Sequence, residues 1–245
     1  LAIMSILAAV IVPNMVKRID LAMGDAESKN LGALAQELEL FITTKFSIPN
    51  STTWASSLAS VSALPLNKAL MNARDFQRGF YVDPRFLTAT DSVFPGYTQN
   101  TGLLTMPVSP RIMLVSNLKA DAPAAPSSSA AFDAIWNQSN ASTIMENDDV
   151  KIHRIYLGHL FHQLLLLNRH TIAPAYQLGN GTLTALPIMA GGVDGQASIF
   201  VLHGSQLNLH QAPFPTGASQ YTLFIHERDS FLYGTNGATW FWGRP

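Results

Sequence analysis

Leu1-Ala-Ile-Met-Ser5-Ile-Leu-Ala-Ala-Val10-Ile-Val-Pro13-Asn-Met-Val16 is an apolar run with one small polar residue, a proline near its end and Lys17-Arg18 directly after it. So much contiguous apolar surface at one end of a chain needs a cover from outside. From Leu1 to Val12 an α-helix rises about 18 Å against roughly 30 Å of bilayer hydrocarbon, so the run is too short to span alone. A secretory signal places basic residues before its apolar core and a small-residue cleavage site after it. Here the basic pair follows the run and the helical pattern continues, an order that argues against cleavage at this point.

Working outward, Lys17 to Phe46 reads as one amphipathic helix. Leu31, Leu34, Leu38, Phe41 and Ile42 recur at three- and four-residue spacing, with Lys29, Gln36, Glu37 and Lys45 between them. Asp25, Glu27, Glu37 and Glu39 add negative charge along it. Gly24 and Gly32 each weaken a helix by about 1 kcal/mol, so this one needs its neighbours. Ile48-Pro49-Asn50-Ser51 ends it, because a residue before proline avoids the helical region.

The order of residues from Ala2 to Asn14, with Ile6-Leu-Ala-Ala followed by apolar residues, then Pro13, then a basic amphipathic helix, resembles the N-terminal segment of type IV pilins and of the pseudopilins of type II secretion. The match is dense through Pro13 and loose to about Phe46. Two departures are visible: Ser5 stands where a glycine is common in the family, and the glutamate-bearing segment that precedes the motif there is not part of this sequence. With such a segment the run would reach membrane-spanning length. The resemblance implies an α+β protein in which residues 1–49 form an assembly helix, interrupted near Pro13, and residues 50–245 a globular head with an antiparallel β-sheet. It implies a structural subunit that sits in the inner membrane before assembly and then polymerises into an extracellular filament. Its partners would be copies of itself, a prepilin peptidase and pilus assembly machinery. Leu1, Ile3, Ile6, Leu7, Val10, Ile11 and Val12 are the expected filament core. Pro13, which removes a backbone donor, is expected to leave non-helical backbone between Ser5 and Pro13. Ile19, Leu31, Leu34, Leu38 and Phe41 are expected to pack the helix on the head.

Composition bounds the alternatives. Only 13% of residues are charged and the formal net charge is −1, which gives no footing for electrostatic binding of nucleic acid. With 47% hydrophobic residues the chain suits a subunit that buries surface in a polymer. Zero cysteines exclude disulfides, iron–sulfur clusters and thiol catalysis.

Past the helix, Ser51 to Asn72 predicts short helices, with Leu66 to Phe76 at helical spacing, and Phe80 to Pro110 predicts loop with short extended pieces. Arg111–Ser116 reads as a buried strand, Asp121–Ala130 as polar surface and Val150–Leu157 as an alternating strand. Three hairpins are expected beyond it: Tyr176 to Leu186 around Asn180-Gly181, Ser198–Leu202 with Gln206–His210, and Tyr221–Ile225 with Phe231–Tyr233 across His226–Ser230.

Candidate chemistry is sparse. His153, His159, His162 and His170 lack the cysteine or fixed carboxylate partners of a metal site and read as scattered structural histidines, so no metal or cofactor is expected. Gly191-Gly-Val-Asp194-Gly195 faintly resembles the calcium loop of major pseudopilins, but Gln196-Ala-Ser follows instead of further acids, and a plain turn is favoured. Asn50, Asn137, Asn140 and Asn180 head glycosylation sequons, and Ser127–Ser129 offer hydroxyls. Asp148-Asp149 is a solvated pair in a polar turn, and no nucleophile elbow, phosphate loop or zinc-protease motif marks an enzyme. Trp240-Phe-Trp242 reads as a final strand docking on the sheet or a neighbouring head. Within the family a major pseudopilin or a minor tip pilin is the alternative; outside it, a membrane-anchored binding protein that never polymerises.

Overall fold

The computed structural model describes residues 2–45, 47–86, 108–225, 231–235 and 240–243, with residues 2–14, 231–233 and 241–243 described by their backbone alone. Helix α1, Ala2–Lys45, is a single run of 44 residues. The interruption expected between Ser5 and Pro13 is absent. Proline's fixed φ of about −65° already suits a helix, and the missing donor costs one backbone bond without forcing the chain out of the α region. Serine at position 5, in place of glycine, gives no freer backbone there. Phe46, the expected last helical residue, lies outside the described residues.

The chain divides into two compact units: one comprises Leu1–Leu40, Pro49–Arg85 and Arg111–Ile155, the other Phe41–Ile48, Phe86–Pro110 and Tyr156–Pro245. In the first, short helices α2 (Trp54–Ala59) and α3 (Leu66–Leu70) occupy the stretch read as short helices. Strands β1 (Gly79–Val82), β2 (Arg111–Asn117) and β3 (Val150–Tyr156) form a sheet in the order β1-β2-β3, with β1 antiparallel to β2. The unbroken apolar run Ile112-Met-Leu-Val115 marks β2 as central, since a strand covered on both faces has no polar side. Met113 and Val115 point to one face and meet Phe132 and Ile135 of helix α4, Ser129–Asn137. The sequence reading missed α4. Its signals are the Ser128 hydroxyl, which caps it by accepting from the Ala131 N–H at 3.2 Å, and Gln138, which ends it at φ 52°.

The second unit is built of β4 (Phe161–Asn168), β5 (Ala175–Leu178), β6 (Thr184–Ala185), β7 (Gly195–Leu202), β8 (Gln206–His210), β9 (Ser219–Phe224), β10 (Phe231–Thr235) and β11 (Trp240–Gly243). They make two four-stranded sheets, β11-β10-β4-β7 and β6-β5-β8-β9. Leu164, Leu166, Ile199, Val201 and Trp240 from the first sheet share one apolar cluster with Leu178, Leu207 and Leu209 from the second. Two sheets over one core form a sandwich.

The fold is therefore α+β, with two corrections to the expected single antiparallel sheet. β10 runs parallel to β4, so one sheet is mixed. Of the three expected hairpins, only β5–β6 pairs across its turn. β7 pairs antiparallel with β4 over the full run Phe161↔Leu202 to Asn168↔Gly195, while β8 pairs with β5 and β9. The turn between β7 and β8 is a corner: Gly204 sits at φ +80° and its N–H donates to the Ile225 carbonyl, sending the chain from one sheet to the other. β9 and β10 likewise join different sheets, and the connecting residues 226–230 lie outside the described residues. The loop expected through residues 87–107 also lies outside them.

Candidate assembly site

Buried residues on α1 fall at Gly24, Glu27, Leu31, Leu34, Ala35, Leu38, Phe41 and Ile42, one stripe at alternating three- and four-residue steps. Leu31, Leu38 and Ile42 have essentially no exposed surface, and burying such a side chain is worth about 1.5–3 kcal/mol relative to water. Before Gly24 the stripe stops. Met15, Val16 and Ile19 are exposed by 57%, 51% and 55%, with Lys17 and Arg18 exposed beside them. Ile19 therefore does not pack on the head as expected. It falls before the buried stripe begins at Gly24, whereas Leu31, Leu34, Leu38 and Phe41 are buried. Ile3, Ile6, Leu7, Val10, Ile11, Val12 and Pro13 continue the same helix through their backbone, and Leu1 lies outside the described residues.

Two ion pairs and one glycine fasten α1. Asp20 accepts from Arg74, a half-exposed pair. Glu27, buried in the stripe, accepts from the Arg78 Nε at 2.6 Å and its Nη2 at 2.8 Å. Arg78 Nη1 also donates to the carbonyls of Lys68, Ala69 and Met71, so the same guanidinium closes the end of α3. Such a buried pair holds because the two charges meet each other and Nη1 finds backbone carbonyls; either partner alone would be a stranded charge. At Gly24 an added Cβ would lie 2.8 Å from the Asp148 carbonyl oxygen, so the helix crosses the turn before β3 with no room for a side chain. Gly32 has no such constraint, its Cβ position being 3.6 Å from the His153 ring. The sequence reading counted Glu27 only among the negative charges along the helix. Its phase, three residues after Gly24 and four before Leu31, was the available signal.

A second charged cluster braces the sheet. Asp83 is fully buried between Arg85 and Arg111, and both arginines also reach Asp133. Arg111, and then Arg85, hold the Asp133 carboxyl below the usual carboxylate range. Arg111 also lies over the rings of Phe132 and Trp136, at 5.3 and 4.9 Å. Burial pushes the Tyr81 hydroxyl up to about 12, and that hydroxyl donates to the Pro123 carbonyl.

The remaining candidates fall into place separately. His153 lies on β3, His159 in a 3-10 turn at Gly158–Leu160, His162 on β4 and His170 in the following loop. The structure instead joins His162 to His203, with Nε2 and Nδ1 3.2 Å apart, across 41 positions that no local spacing could reveal. Among the described residues no group of three or more His, Cys, Asp or Glu side chains could hold a metal ion. Gly191 and Gly192, at φ +60° and +79°, are the central pair of a tight turn bonded both ways between Ala190 and Val193. Asp194 after it accepts from Arg169 at 3.1 Å. Of the sequons, Asn137, Asn140 and Asn180 are exposed, whereas the Asn50 side-chain oxygen accepts from the Thr52 and Thr53 N–H groups. Asp149 pairs with Lys119. Trp240 is buried in the sandwich core and its ring N–H donates to the His210 carbonyl at 2.9 Å.

Among the described residues no helix is long and apolar enough to cross a membrane. Compared with known proteins, the chain matches no family model, no curated protein and no solved structure.

Proposed function

We propose that this chain is a structural subunit of a type IV pilus or related filament, polymerising through its N-terminal helix. One observation carries the reading: α1 is docked by a single stripe that begins at Gly24, while Met15, Val16 and Ile19 stand exposed on the same helix, continuous with the apolar run from Leu1 to Val12. An apolar helix extending past its own domain is covered by lipid or by other helices. In this reading lipid of the inner membrane covers it before assembly and copies of itself cover it afterwards. Relative to lipid the gain comes from close helix packing and not from leaving water. Pro13 serves as a tolerated helix residue in this scheme, so extension by local unwinding is no part of it. The protein acts by assembly, with no catalytic residue or cofactor.

The test is to shear cells that produce the chain and examine the released fraction by electron microscopy with antibody labelling. Labelled filaments support the proposal. A chain that stays wholly in the membrane fraction as monomer overturns it in favour of an anchored binding protein. Short filaments confined to the periplasm would move it to a secretion pseudopilus.

A further inference from the structure

We infer that the cleft between α1 and α3 in the first unit binds an alkylammonium group. The inference is independent of the filament reading. The cleft measures about 310 Å³, and Ala33, Leu34, Leu64 and Met71 give it apolar walls. Glu37 lines it from α1, and its Oε2 is buried with no hydrogen-bond partner among the described residues. A buried carboxylate oxygen left unmet is costly, and native proteins rarely keep one without a ligand or ordered water.

Among the described residues no cation bonds it. Arg78 also lines the cleft, but its guanidinium is spent on Glu27 and on three carbonyls of α3 and the residue after it. Lys68, also in the lining, is exposed to solvent and bonds no carboxylate among the described residues, so its removal should leave Glu37 more available to an added cation. An unmet carboxylate oxygen beside apolar walls selects a cationic donor on an aliphatic stem: the ammonium seats on Glu37 and the methylenes lie along Leu34, Leu64 and Met71. A free aliphatic amine and the side chain of a lysine in a peptide share that chemistry.

The experiment titrates the full-length chain, by isothermal calorimetry and by chemical shifts of α1 amides, with n-pentylamine, Nα-acetyl-lysine amide and n-pentanol. The amines are expected to saturate and shift residues around Glu37, while pentanol does not. A preference for pentylamine identifies a free amine as the source, and a preference for the lysine derivative identifies a peptide. Glu37→Gln is expected to weaken binding about tenfold or more, the effect of losing a charge-assisted bond. Lys68→Ala removes that cation from the lining and tightens it. Ala33→Phe, which obstructs the cleft and leaves the carboxylate in place, abolishes it and decides the matter should Glu37→Gln fail to fold. No saturable binding of either amine, pentanol binding as well as pentylamine, or a folded Glu37→Gln chain that binds as tightly as wild type overturns the inference.

Discussion

Glycine occurs twice in the docked part of α1, and the two positions call for opposite outcomes. At Gly32 a methyl group meets the His153 ring at ordinary contact distance, so Gly32→Ala gains helix propensity and should stabilise the protein by about 0.5–1 kcal/mol. At Gly24 the same change places Cβ 2.8 Å from the Asp148 carbonyl oxygen and 3.0 Å from Lys151 Cε, so the backbone must shift and Gly24→Ala should lower the urea midpoint. Glu27 and Arg78 offer a second contrast. Arg78→Met alone strands a buried carboxylate and should cost about 3–5 kcal/mol, whereas Arg78→Met combined with Glu27→Leu should recover a large part of that loss in the same denaturation assay. His153 on β3 sets a pH dependence. Burial first, and Arg154 second, depress its pKa, so the folded state prefers the neutral ring. The unfolded chain protonates first as pH falls below about 6.5, so stability present at pH 7 declines toward pH 5.5, and His153→Gln should flatten that slope. Asp133, held low by Arg111 and Arg85, adds a further loss as pH falls through the carboxylate range.

At the scale of elements, the clearest signals lay in single segments. The stripe Leu31, Leu34, Leu38, Phe41 and Ile42 located the docked face of α1, and the run Ile112–Val115 located a strand covered on both sides. Leu38→Ala, in a position with essentially no exposed surface, should cost about 2–5 kcal/mol in chemical denaturation without shortening α1. What stayed hidden was pairing. A turn residue such as Gly204 reports that the chain bends but not whether the next strand returns beside the last one or crosses to another sheet. The eight-residue ladder between β4 and β7 settles that choice, and its partners are too distant in sequence for local alternation to show. The arginine clusters were hidden for a similar reason: Arg78 meets Glu27, and Arg111 meets Asp83, only after the chain has folded. Pro13 shows the opposite error. A local rule about proline predicted a break, whereas the helix runs through Pro13 even though Val10, Ile11 and Val12 before it are β-branched.

For the whole molecule, the account rests on one division of labour along α1. From Gly24 on, α1 buries one stripe of side chains, whereas Met15, Val16 and Ile19 before it stand exposed. Assembly into a filament would bury those side chains against neighbouring copies. The native chain has no cysteine, so Ile19→Cys introduces a single thiol at an exposed position and makes burial directly measurable. The decisive measurement is the rate at which a polar maleimide labels that thiol in detergent-dispersed monomer and in filaments sheared from cells. The account predicts fast labelling of the monomer and strong protection in the filament. Equal labelling in both states would contradict it.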